Sequence, residues 1–101
     1  TAVSDRTQSE YGEHKITAIK TPGHSIDSVS WFVEDLCCVF CGDLVFYHSI
    51  GRTDFVGGDL AELGRSVEKL FTLVSNDEII LYPGHGASTT VGEEKRFNPY
   101  L

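Results

Sequence analysis

Methionine is absent from the 101 residues, and so is any apolar run approaching the roughly 20 that a helix needs to span a bilayer. The sequence therefore predicts no membrane segment. Its start, TAVSDRTQSEYGE, has neither the basic nor the apolar part of a secretory leader, and with no initiator Met and no capping logic it reads as a cut through a longer chain. Basic residues are scarce: 8 Lys and Arg stand against 15 Asp and Glu, a net charge of −7, and they form no stripe. Nucleic-acid binding draws its affinity from clustered Lys and Arg, so this balance argues against such a partner. Cysteine is limited to Cys37, Cys38 and Cys41, an odd number within five positions. That spacing excludes a disulfide framework and makes a reducing, cytoplasmic location the simplest expectation.

What is present suffices to fold. With 41% hydrophobic and 23% charged residues, the chain has the composition of a globular domain, and its length fits one small domain with a modest core. HKITAIK (His14–Lys20) alternates as a strand with Ile16 and Ala18 on one face, and SVSWFV (residues 28–33) is a second strand rich in β-branched and aromatic side chains. Glu34-Asp35 reads as a hairpin turn into LCCVFC (residues 36–41), a nearly continuous apolar run of the kind a strand covered on both faces shows. Cys38-Val39-Phe40-Cys41 matches C-x-x-C, which admits a redox or zinc reading. Residues three apart on a strand point to opposite faces, however, so buried strand cysteines are preferred.

From Asp59 the period changes. Leu60, Leu63, Val67, Leu70, Phe71 and Val74 recur at three- and four-residue steps, the stripe of an amphipathic helix capped by Asp59 or Gly58. EIILY (residues 78–82) reads as a short buried strand. Thr90-Val91-Gly92-Glu93 fits a capping box opening a helix that runs to Phe97 and ends before Pro99. Residues 1–11 read as loop or disorder and residues 51–58 as one Gly-rich loop. The expected order is strand, strand, strand, helix, strand, short helix.

One short device recurs: Pro-Gly-His, in TPGHS (residues 21–25) and again in YPGHG (residues 82–86). His24, Asp43 and His85 each follow a strand at its carboxyl end in a turn made with Gly, where layered folds place their sites on loops held by rigid strands. Neutral imidazole and carboxylate suit zinc and other first-row divalent ions, and the neighbouring Gly lets backbone approach closely. Singly, each is equally an ordinary loop residue; their joint placement makes them candidates for a shared metal site. His14 and His48 stand at polar positions without a partner pattern.

The series TPGHS, FCGDLVF, SIGRTDFVGGD, LYPGHG and GEEKRFNPYL, in that order over about residues 12–101, resembles the C-terminal half of metallo-β-lactamase-fold hydrolases. The resemblance is closest to their glyoxalase II-like (hydroxyacylglutathione hydrolase-like) branch. It implies an α+β fold in which residues 1–101 form part of a four-layer αββα sandwich: one mostly antiparallel sheet with an outer helix. It also implies two divalent metal ions, zinc first, with iron or manganese as alternatives. His24 would complete one metal site, Asp43 would bridge the two, and His85 would belong to the second. A bridging carboxylate and two cations lower the pKa of a shared water, making hydroxide available to attack a thioester such as an S-2-hydroxyacylglutathione.

In the loop Gly51-Arg52-Thr53-Asp54, Arg52 would hold a substrate carboxylate or tie to Asp54 and shape the loop. Tyr47 and Phe55 would line a pocket or pack in the core. Lys95 and Arg96 lie where larger relatives place glutathione contacts. The family's His-x-His-x-Asp-His signature, source of the remaining four ligands, is absent from this sequence and belongs to an N-terminal half. The inner sheet face would then be exposed, or covered by that half or a dimer partner. The isolated chain is expected to be inactive. Two alternatives stand beside the hydrolase: a mononuclear-iron persulfide dioxygenase, whose loop GRTDF also resembles and whose iron would use His24 and Asp43 without His85, and a non-catalytic half-domain.

Overall fold

The computed structural model describes residues 7–54 and 58–101. Among these residues, eight strands and two α-helices follow one another: β1 (Gln8–Tyr11), β2 (His14–Lys20), β3 (Val29–Val33), β4 (Cys38–Gly42), β5 (Val45–Phe46), β6 (Ser49–Ile50), α1 (Leu60–Leu73), β7 (Ile80–Pro83), β8 (Thr89–Thr90) and α2 (Val91–Phe97). Six strands form one sheet in the order β1-β2-β3-β4-β7-β8, and β5 with β6 makes a separate hairpin. Every neighbouring pair is antiparallel except β4 with β7. A parallel pair needs a crossover rather than a tight turn, and α1 supplies it. The expected α+β architecture of a mostly antiparallel sheet with an outer helix is thus present.

The stripe on α1 decides where the core lies. Leu63, Val67, Leu70 and Val74 are buried against Ile19 of β2, Val39 and Cys41 of β4 and Leu81 of β7, with Leu44, Val45, Ile79 and Val91 completing the cluster. Each fully buried Val or Leu contributes on the order of 1.5–3 kcal/mol, so this one face dominates the stability of the fold. The Asp59 carboxylate accepts from Glu62 N–H at 3.0 Å and caps the helix, which decides between the two caps, Asp59 and Gly58, that the sequence allows. Thr90 caps α2 likewise, accepting from Glu93 N–H at 3.1 Å.

Among the described residues, the other face of the sheet has no such cover. Trp31 is opposite Phe40, and Phe40 opposite Tyr82, in register across β3, β4 and β7. These three side chains remain 39%, 47% and 39% exposed, with the Phe40 and Tyr82 rings stacked 5.3 Å apart. The LCCVFC run, read as covered on both faces, has Val39 and Cys41 packed in the α1 core; on the opposite face Cys38 is buried but Phe40 is left 47% exposed among the described residues.

Several local expectations are corrected. Residues 1–6 lie outside the described residues, but Gln8–Tyr11 is a strand, not loop or disorder: Gly12 takes φ 61° at the first position of a two-residue turn, which returns the chain into β2. Glu34-Asp35 does not make a two-residue hairpin. Glu34–Leu36 is a 3₁₀ turn ended by Cys37 at φ 50°, so β4 begins at Cys38. The two-residue strands β5, β6 and β8 were not foreseen, because two residues carry no periodicity.

Candidate metal centre

Strand direction assembles the site. β2 is antiparallel to β3, β3 to β4, and β4 is parallel to β7, so β2, β4 and β7 share one direction and their carboxyl ends emerge at one edge. Those ends lead into His24, Asp43 and His85. The turns are built on close backbone contacts. Gly23, at φ 141°, lies so near α1 that an added Cβ would come within 2.3 Å of Leu63 Cα, and its carbonyl accepts from Asp59 N–H at 2.8 Å. The same His24 turn is fastened by Ser66 Oγ, which donates to Pro22 O at 2.6 Å. On the β7 side, Gly84 N–H donates to Gly42 O at 2.9 Å, and a Cβ on Gly84 would sit 3.2 Å from Asp43 Oδ1. Glycine thus leaves room around the carboxylate.

The structure brings all three residues together. His24 Nε2 is 3.2 Å from Asp43 Oδ2, and His85 Nδ1 is 3.1 Å from Asp43 Oδ1. Despite that short distance, Asp43 Oδ1 is sealed from solvent and accepts no well-formed hydrogen bond. His24 Nδ1 lies 2.9 Å from Arg52 O. A carbonyl only accepts, so Nδ1 carries the hydrogen, and in a neutral ring Nε2 then presents a lone pair towards a carboxylate oxygen. Lone pairs facing each other at this distance need positive charge between or on them. The donor chemistry and the orphaned oxygen both fit first-row divalent ions. Among the described residues, no three His, Cys, Asp or Glu side chains close around one metal-sized point. Two donor pairs share Asp43 instead, one on each carboxylate oxygen.

A hollow of about 300 Å³ opens beside these donors, walled by Phe46 and Ile50 of the small hairpin and by Arg52. Phe46 approaches the His85 ring at 6.1 Å between centroids. Neither Phe46 nor Ile50 was foreseen, since their hairpin gives no sequence signal. Arg52 reaches the hollow, but its guanidinium is tied to Asp54 through Nε–Oδ1 at 3.0 Å and Nη2–Oδ2 at 3.3 Å. That hydrogen-bonded pairing holds Asp54 below and Arg52 above their ordinary pKa values. Tyr47 does not line the hollow; it is exposed and stacks on His48 at 4.0 Å. Phe55 lies outside the described residues.

The histidines read as partnerless have partners. His14 Nδ1 pairs with Asp35 across the sheet edge, and that hydrogen bond lowers the Asp35 pKa. His48 Nε2 is 2.7 Å from Glu93 Oε2, while its backbone N–H donates to Glu94 Oε1 at 2.8 Å. Lys95 and Arg96 both turn to Asp77. Cys38 and Cys41 are buried, and burial raises the Cys38 thiol and pushes the Cys41 thiol up to about 11. They behave as core residues rather than as a redox pair. Glu94, unforeseen by sequence, is fully buried and braces the small hairpin from α2.

The sequence and the fold have counterparts among known proteins. The chain is 44% identical over 81 residues to hydroxyacylglutathione hydrolase GloC of Haemophilus influenzae, covering 79% of this chain and 37% of that protein. Its structure superposes on ETHE1 from Myxococcus xanthus with a TM-score of 0.86 and 38% identity, over 96% of this chain and 44% of that one. It matches TTHA1623, solved in a di-iron-bound form, with a TM-score of 0.88 and 35% identity, over 98% and 47% respectively. The chain spans less than half the length of these relatives. The family description "Metallo-beta-lactamase superfamily" matches residues 4–85. Matched over most of its length, and with the sheet and outer helix in place, the chain belongs to the metallo-beta-lactamase superfamily.

Proposed function

We propose that this chain contributes part of the metal centre of a hydrolase acting on thioesters of the hydroxyacylglutathione type. The observation that carries the reading is Asp43: a carboxylate with one imidazole nitrogen close to each oxygen, and with Oδ1 buried but not hydrogen-bonded. His24 and Asp43 would hold one divalent ion, and Asp43 and His85 a second. Bound there, such ions supply Lewis-acid polarisation of a carbonyl and lower the pKa of water. The chain's own residues do the rest. Arg52 O orients the His24 ring, Gly84 leaves space at Asp43 Oδ1, and Phe46 and Ile50 give the hollow apolar walls. Similarity to GloC supports the thioester substrate.

The sheet face bearing Trp31, Phe40 and Tyr82 fits the same reading. We assign its cover to the remainder of the larger protein, which would also bring the other metal ligands. The test is made on the intact protein: about two metal ions per chain and hydrolysis of S-lactoylglutathione, with the isolated chain showing no turnover above a metal-only blank. An intact protein that carries metal but cleaves neither thioester nor ester would overturn the reading.

A persulfide dioxygenase is the second reading, favoured by the 38% identity to ETHE1. It would need one iron, held with His24 and Asp43 and not His85. One iron per chain, with oxygen uptake on glutathione persulfide that survives His85→Ala, would select it.

A further inference from the structure

The ring of His24 is oriented from outside the donor set. Arg52 O accepts from Nδ1 at 2.9 Å, which leaves Nε2 as the nitrogen turned to Asp43. Two features seat that carbonyl. Gly51 lies directly on Asp43, whose carbonyl oxygen would be only 1.7 Å from an added Cβ, and Gly51 N–H donates to Leu44 O at 3.1 Å. Beyond the carbonyl, the Arg52 guanidinium folds back onto Asp54 in a two-point, charge-assisted pairing, which fixes geometry as well as charge.

We propose that loop 51–54 is the positioning element of His24, with the Arg52–Asp54 ion pair closing the loop so that the Arg52 main chain fixes the tautomer and plane of the ring. Arg52 then serves the site through its carbonyl, and its guanidinium serves the loop. The inference rests on the reading of His24 as a metal ligand. A hydrogen bond to the far nitrogen of a ligating imidazole sets which nitrogen meets the metal. Both ion-pair side chains are more than 70% exposed, so removing the pair should leave folding stability nearly unchanged and act on the ligand instead.

The test compares the intact wild-type protein with R52A, D54N and the charge-swapped R52D/D54R. Zinc affinity is read by chelator competition, ligand geometry by the visible spectrum of the cobalt(II) form, and folding by urea unfolding. R52A and D54N should each weaken zinc binding about three- to fivefold, the scale of an exposed ion pair, and alter the cobalt spectrum at an unchanged urea midpoint. The swap should restore both. Wild-type metal binding that neither single variant changes would overturn this inference alone, as would a KM increase confined to R52A, which assigns the guanidinium to substrate. If the wild type binds neither zinc nor cobalt, the metal-ligand reading fails and this inference with it.

Discussion

Glu94 shows what a single residue contributes here. It is fully buried, and its two oxygens accept from three donors: His48 N–H at 2.8 Å, Asn98 Nδ2 at 2.8 Å and Thr89 Oγ1 at 2.6 Å. Asn98 Nδ2 also donates to Ser49 O at 2.9 Å, so α2 and the β5–β6 hairpin share one polar network. Glu94→Leu keeps much of the volume but removes the acceptor from three donors, His48 N–H, Asn98 Nδ2 and Thr89 Oγ1. The expected cost is about 1–3 kcal/mol, read as a lower urea midpoint at constant slope. At the other end of the sheet, Asp35 has a lowered pKa because its carboxylate accepts from His14. The sign follows from linkage. A carboxyl whose native pKa lies below its unfolded value, about 3.9, contributes stability above that value and loses it as pH falls through the native one. NMR titration of the Asp35 carboxyl carbon should give a pKa below the ordinary range, and His14→Ala should move it back up.

Among the elements, α1 has the strongest local signal and the largest structural role. Its stripe packs the core, its N-terminus supports the His24 turn through Asp59 N–H and Gly23 O, and Asp59 caps it. Asp59→Ala should cost about 1 kcal/mol in urea unfolding, while Asp59→Asn, which retains the acceptor, should cost less. The elements that sequence reasoning missed are short. β5, β6 and β8 have two residues each and exist because neighbours hold them: β8 pairs with β7, and the β5–β6 hairpin rests on Glu94 and Asn98. β1 is different, for the Gly12-Glu13 turn before HKITAIK was a readable hairpin signal.

For the whole molecule, the energetic weight of the Trp31, Phe40 and Tyr82 face depends on what packs against it. Phe40, 47% exposed in this chain, lies between Trp31 and Tyr82 in a row that crosses three strands. If the remainder of the protein packs over that row, Phe40→Ala in the intact protein should cost about 3–5 kcal/mol, the range for a buried aromatic. A change within about 0.5 kcal/mol in urea unfolding would show the face to be open to water, and the assigned cover would fall.

The sequence by itself determined the central strands, the amphipathic helix, the Thr90 cap and the three candidate ligands, because each is written in a local pattern: alternation, a three-to-four step, a capping box, or a Gly turn after a strand. Tertiary structure decided what those patterns meant together. Parallel pairing of β4 with β7 put His85 beside Asp43, and the loop holding Gly51 and Arg52 turned the His24 ring. His14 and His48 likewise met partners 21 and 45 residues away in sequence, on the turn after β3 and on α2. Such contacts depend on strand direction and backbone approach between distant segments, which a local pattern of residues does not encode.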